Sequence, residues 1–116
     1  MFKSLVPMLH TKEMDKTISF YEDVLGFHCV GRFENDWCRL EREGVAIMFF
    51  EVDEFDKPNA TATQYFYVDR LNEFWNDIKD RVVAEWGPQE MHYGMYEVGI
   101  KDPNGYLLSF GEELAS

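Results

Sequence analysis

The sequence predicts an α+β fold of two tandem β-α-β-β-β modules, forming a curved mixed sheet around a cavity with the helices on the outer face. Three observations predict it. Two amphipathic helical stripes share a pattern 54 residues apart. Each stripe follows one strand-like run and precedes three more. Two hairpin signals, Glu43-Gly44 and Asn104-Gly105, stand 61 residues apart. An internal repeat of this kind sets the architecture before any motif is read.

The elements follow in order. Leu5 to His10 reads as a first strand. Met14, Ile18, Tyr21 and Leu25 then recur at helical spacing, and Gly26 stands where a helix end needs a left-handed residue. Three strand-like runs come next: Phe27 to Phe33, Asp36 to Arg42 and Val45 to Val52. The second module repeats the plan. Ala62 to Val68 is its first strand, and Leu71, Phe74, Trp75, Ile78 and Val82 form its helical stripe. Val83 to Trp86, Met95 to Lys101 and Tyr106 to Gly111 complete it, with Gly87 to Gly94 read as a loop. A chain of 116 residues suffices for one domain. The modules therefore take up about 1–52 and 62–116 of a single domain, joined by an acidic linker, 53–61, that holds Pro58.

Strand parity separates two faces. Leu5, Pro7, Leu9, Cys38, Leu40, Ile47 and Phe49, with Phe66, Val68, Val98, Ile100, Leu108 and Phe110, form an apolar set that should pack under the helices. The opposite face carries His10, Trp37, Arg39, Met48 and Phe50 in the first half, and Tyr65, Tyr67, Glu97 and Ser109 in the second. A second face so rich in aromatics suits a sheet curved around a ligand. Trp37 and Tyr65 are its stacking candidates, and Arg39 and Glu97 form a candidate charge pair.

Composition narrows the partners. Eleven Lys and Arg stand against 22 Asp and Glu, a formal charge of −11. Such a balance repels phosphate backbones and anionic lipid, so no nucleic-acid or membrane partner is expected. A neutral or cationic small molecule is the natural ligand. The longest apolar run, Val45 to Phe50, is too short to span a bilayer, and the N-terminus lacks signal-peptide features. Two cysteines, Cys29 and Cys38, give no disulfide framework, so reduced thiols in a cytoplasm are expected.

Phe20-Tyr21-Glu-Asp-Val-Leu-Gly26-Phe27 resembles the Phe-Tyr-x-x-x-Leu-Gly-Phe run of the vicinal oxygen chelate superfamily, which holds glyoxalases, dioxygenases and bleomycin-resistance proteins. Asp102-Pro103-Asn104-Gly105 is similar to its Asp-Pro-Asp-Gly hairpin. For enzymatic members, the resemblance implies a divalent metal held from the first and last strands of each module. Those positions fall on Val6, Met48, Thr63 and Ser109, none of them a good metal ligand. The chain therefore resembles the non-metal, bleomycin-resistance branch more closely, where Gly26-Phe27, Arg32, Trp37-Cys-Arg-Leu40-Glu-Arg42 and Phe49-Phe50 have counterparts.

That branch implies a binding protein and not an enzyme. It would hold an aromatic or cationic ligand in an acidic, aromatic-lined groove, with no cofactor and no metal. The expected ligand-binding residues are His10, Trp37, Arg39, Met48, Phe50, Tyr65, Tyr67, Tyr93, Glu97 and Ser109, with Tyr93 where relatives place a Trp near the groove mouth. The resemblance also implies a homodimer with grooves between subunits. The alternatives are a metal-dependent lyase or dioxygenase of the same superfamily, or a metal-free acid–base enzyme using Glu97 or His10.

Overall fold

A computed structural model describes residues 1–54 and 62–115. Pro58 and most of the expected linker lie outside the described residues. The chain divides into two compact units, Met1–Lys57 and Pro58–Ser116. In the first, the order is β1 (Met8–Thr11), α1 (Met14–Ser19), β2 (His28–Phe33), β3 (Trp37–Arg42) and β4 (Val45–Glu51). The second repeats it with β5 (Thr63–Tyr67), α2 (Leu71–Ile78), β6 (Trp86–Glu90), β7 (Met95–Lys101) and β8 (Leu107–Glu113).

The α+β class and the two βαβββ modules are as expected. The strands pair into two four-stranded mixed sheets, one per unit, and not into a single sheet. Their orders are β1-β4-β3-β2 and β5-β8-β7-β6. In each, the first strand lies parallel to the last and the other neighbours are antiparallel.

The helical stripes bury as their spacing requires. Met14, Ile18, Tyr21 and Leu25 are all buried, and the Tyr21 ring lies 5.3 Å from that of Phe49 on β4. After Ser19 the helix widens into a π-helical turn, Phe20–Val24, and it ends at Gly26 with φ +74°. Arg42 then donates from Nη1 to the Leu25 carbonyl at 2.7 Å, giving a partner to an oxygen that a helix end leaves open. In the second unit Leu71 and Ile78 are buried, and Phe66, Phe74 and Phe110 cluster, with Phe66 stacked on Phe110 at 4.9 Å.

Neither helix is capped by the residue at its own N-cap. The last strand of each unit supplies the acceptor instead. Glu51 Oε1 accepts from the Met14 N–H at 3.1 Å, and Glu112 Oε1 accepts from the Leu71 N–H at 3.0 Å. A carboxylate at a helix N-terminus meets both an orphan donor and the positive end of the dipole.

Four details differ from the sequence expectation. Leu5 is 95% exposed, because strand pairing starts only at Met8, so the parity argument has no sheet to act on there. Helix α2 ends at Ile78, short of Val82. Strand β6 runs Trp86–Glu90, through residues that read as a loop, with its register broken between Trp86 and Gln89. The break accommodates Gly87 and Pro88, which would otherwise interrupt the ladder. The Asn104-Gly105 turn is not a two-residue hairpin. Asp102 Oδ1 accepts from the N–H groups of Asn104 and Tyr106, each at 2.9 Å, so the side chain organises a longer loop. Glu43-Gly44, with φ of +50° and +82°, is the two-residue turn expected between β3 and β4.

Candidate functional site

Register sorts the expected residues into rows across each sheet. In the first unit, Phe50 on β4 lies between His10 on β1 and Trp37 on β3. The next row holds Met8, Met48 and Arg39. His10 meets Phe50 edge-on, with ring centroids 4.3 Å apart. The Trp37 ring lies over Gly31 on β2, where an added Cβ would sit 3.1 Å from it. All five expected residues of this unit thus share two adjacent rows. Arg39 donates to Glu41 Oε2 at 2.6 Å, so the charge partner considered for Glu97 is already paired within its own strand.

In the second unit the centre is Glu97 on β7, only 3% exposed. Its Oε1 accepts from the hydroxyls of Tyr65 and Tyr93, both at 2.7 Å, and its Oε2 accepts from the Trp86 indole N–H at 2.8 Å. The donors come from β5, from the turn between β6 and β7, and from β6. Glycines make the arrangement possible. A Cβ at Gly111 would overlap the Tyr65 hydroxyl, and one at Gly99 would overlap the Trp86 ring. Tyr67 faces the same side, its ring 5.1 Å from that of Tyr65 and tilted by 52°.

Burial alone would push the Glu97 carboxyl up. Hydrogen bonds from Tyr93, Tyr65 and Trp86 outweigh it and, with the nearby Ser109 hydroxyl, hold the group below the usual carboxylate range. Ser109 Oγ is itself buried without a hydrogen-bond partner, so it acts on Glu97 by proximity and not through a well-formed bond. The Tyr65 hydroxyl is pushed strongly upward by burial and by its bond to an anion, and Tyr93 is raised chiefly by the same acceptor. The result is a fixed anion beneath phenols that stay protonated.

The rings above it remain accessible. Tyr65 is 37% exposed, Tyr93 51% and Tyr67 72%. Buried charge under exposed aromatic faces is a surface for attracting a cation or stacking a ring. Sequence reasoning missed Trp86 as a member of these faces. The signal for Trp86 was the pairing of a large ring with Gly99 across two strands, which becomes visible only with the register.

The positions that would hold a metal can be tested by their donors. Val6 offers only hydrocarbon, Met48 a soft thioether, and Thr63 and Ser109 neutral alcohols. That set does not fit a divalent ion held by imidazole and carboxylate. Among the described residues, no three His, Cys, Asp or Glu side chains converge. None of the helices described is long and apolar enough to cross a membrane.

The sequence profile of the Glyoxalase/Bleomycin resistance protein/Dioxygenase superfamily matches residues 5–110. The chain belongs to this superfamily. Among solved members of the fold, a bleomycin resistance determinant encoded on the transposon Tn5 is 25% identical. It superposes with a TM-score of 0.82, over 97% of this chain and 98% of that one. A bleomycin-binding protein in complex with bleomycin is 24% identical, with a TM-score of 0.77 and 97% and 99% covered. A lactoylglutathione lyase from Agrobacterium tumefaciens has the same fold at 19% identity, TM-score 0.73, with 95% and 92% covered. No curated protein matches the chain by sequence. The superfamily fold therefore carries both binders and enzymes, and the site has to decide between them.

Proposed function

We propose that the chain is a small-molecule binding protein of bleomycin-resistance type, taking an aromatic or cationic ligand on its acidic, aromatic faces without a metal. The observation that carries this reading is Glu97, an anion held by Tyr65, Tyr93 and Trp86 beneath exposed tyrosine rings. A formal charge of −11 supports it by drawing cations toward the protein. The ligand-binding residues proposed in the second unit are Tyr65, Tyr67, Tyr93, Glu97 and Ser109, and those proposed in the first are His10, Trp37, Arg39, Met48 and Phe50.

The chemistry of Glu97 favours binding over acid–base catalysis. A general base works best with a pKa near the operating pH and a free lone pair. Glu97 is shifted the other way, and its Oε1 already accepts two hydrogen bonds. The side chains of Val6, Met48, Thr63 and Ser109 likewise argue against the metal-dependent reading. The proposal includes the homodimer that the family resemblance implies. Sedimentation at twice 13.7 kDa supports that part, and sedimentation at 13.7 kDa removes it.

Calorimetric titration of chelator-treated protein with bleomycin and with simpler aromatic cations tests the reading. Saturable binding without added metal is expected for at least one of them. Binding that appears only with a divalent ion, or for none of the cations, would overturn it.

A further inference from the structure

Glu97 has little left to offer a ligand directly. Three hydrogen bonds occupy most of its acceptor sites, and the residue is 3% exposed. A guanidinium seeks paired acceptors in one plane, and this carboxylate no longer presents them. Its charge reaches a ligand through the phenols. A tyrosine that donates to a carboxylate carries a more negative ring face, which strengthens its attraction for a cation lying on that face.

Ring placement narrows the cation further. The Tyr65 and Tyr93 hydroxyls meet at one oxygen, and the Tyr65 and Tyr67 rings are tilted by 52° at 5.1 Å. Tilted rings make a corner, whereas a flat cationic ring calls for parallel walls. A rounded ammonium centre fits a corner, and its methyl groups ask for no hydrogen-bond acceptor.

We propose that Tyr65 and Tyr93, anchored on Glu97, form with the neighbouring Tyr67 an aromatic cage for a substituted ammonium group, so that the ligand of this face carries an alkylammonium centre and not a flat cationic ring. The inference rests on the binding reading above and names the ligand class for that same site.

Choline, its neutral isostere 3,3-dimethyl-1-butanol and the flat cation proflavine are the probes, each titrated into the full chain by calorimetry. Choline binding at least tenfold tighter than the isostere is the expected result. Tyr67→Ala, at an exposed ring outside the Glu97 network, should abolish that difference, and Tyr67→Phe should keep it. Equal binding of choline and the isostere overturns the cage. Proflavine binding with choline silent also overturns the cage, while the broader binding reading survives. Silence of both cations overturns the cage, and the binding reading falls with it only if bleomycin is silent as well.

Discussion

The Tyr65 hydroxyl lies against Gly111 and donates to Glu97 Oε1 at 2.7 Å, reaching across β8 from β5 to β7. The contact exists because Gly111, the residue paired with Glu97 on β8, has no side chain to stand between them. One missing Cβ thus joins an exposed aromatic face to a buried charge. The consequences can be measured one at a time.

Gly111→Ala removes that space. The new methyl must displace the Tyr65 hydroxyl, so the cost should be about 1–3 kcal/mol, the usual range for overpacking. Urea unfolding checks the stability. The same substitution should weaken binding of an aromatic cation, because the ring is moved off its anchor.

Glu97→Gln keeps the shape and removes the charge. Its amide nitrogen must face donors, so at least one of Tyr65, Tyr93 and Trp86 loses its acceptor. Leaving a buried donor unpaired costs roughly 1–3 kcal/mol. The unfolding midpoint should fall accordingly, and Trp86 emission should change in the folded protein.

Acid should reach the same network. The folded Glu97 carboxyl is held below its unfolded value, so its contribution is fully present above the unfolded pKa, near ~4.3. That contribution is lost as the pH falls through the folded value. The urea midpoint measured from pH 6 to pH 3 should drop, and Glu97→Gln should show a smaller drop than the parent. Equal slopes would remove Glu97 as a contributor.

The two cysteines should differ in reactivity. Cys38 is buried, and burial pushes its thiol up to about 11, whereas Cys29 is half-buried on β2. The thiolate is the reactive form, so a water-soluble thiol reagent at pH 8 should modify Cys29 first. Mass spectrometry of partly labelled, digested protein reads the order directly.

Glu51 and Glu112 cap α1 and α2 from the ends of β4 and β8, 61 residues apart in the chain. Removing either acceptor with Glu51→Ala or Glu112→Ala should cost about 1 kcal/mol, as loss of a helix cap does. The repeat was legible in the helical stripes and turns, yet this shared device was not. Capping from a distant strand leaves no local signature.

The same distinction runs through the rest of the chain. Met14, Ile18, Tyr21 and Leu25 announced their helix because one face of one element is a local pattern. Residues 87–90 of β6 read as a loop because Gly87 and Pro88 are strong local breakers, whereas pairing with β7 is decided elsewhere. Residues such as Tyr65, Tyr67, Glu97 and Ser109 were placed on one face by parity alone. What parity could not supply was Trp86 as a third donor to Glu97, or the two glycines that admit the rings. Those depend on which residues the register sets opposite one another. Leu5 shows the converse, since alternation continued in sequence past the point where the sheet begins.

The Trp86 indole N–H reports on the central claim most directly, because it is bonded to Glu97 beneath the exposed tyrosines. A proton–nitrogen NMR titration of uniformly labelled protein with a binding aromatic cation should shift this indole signal, together with the backbone signals of Tyr65, Tyr93 and Glu97. Saturable binding that leaves all four unmoved would place the ligand elsewhere and contradict the account.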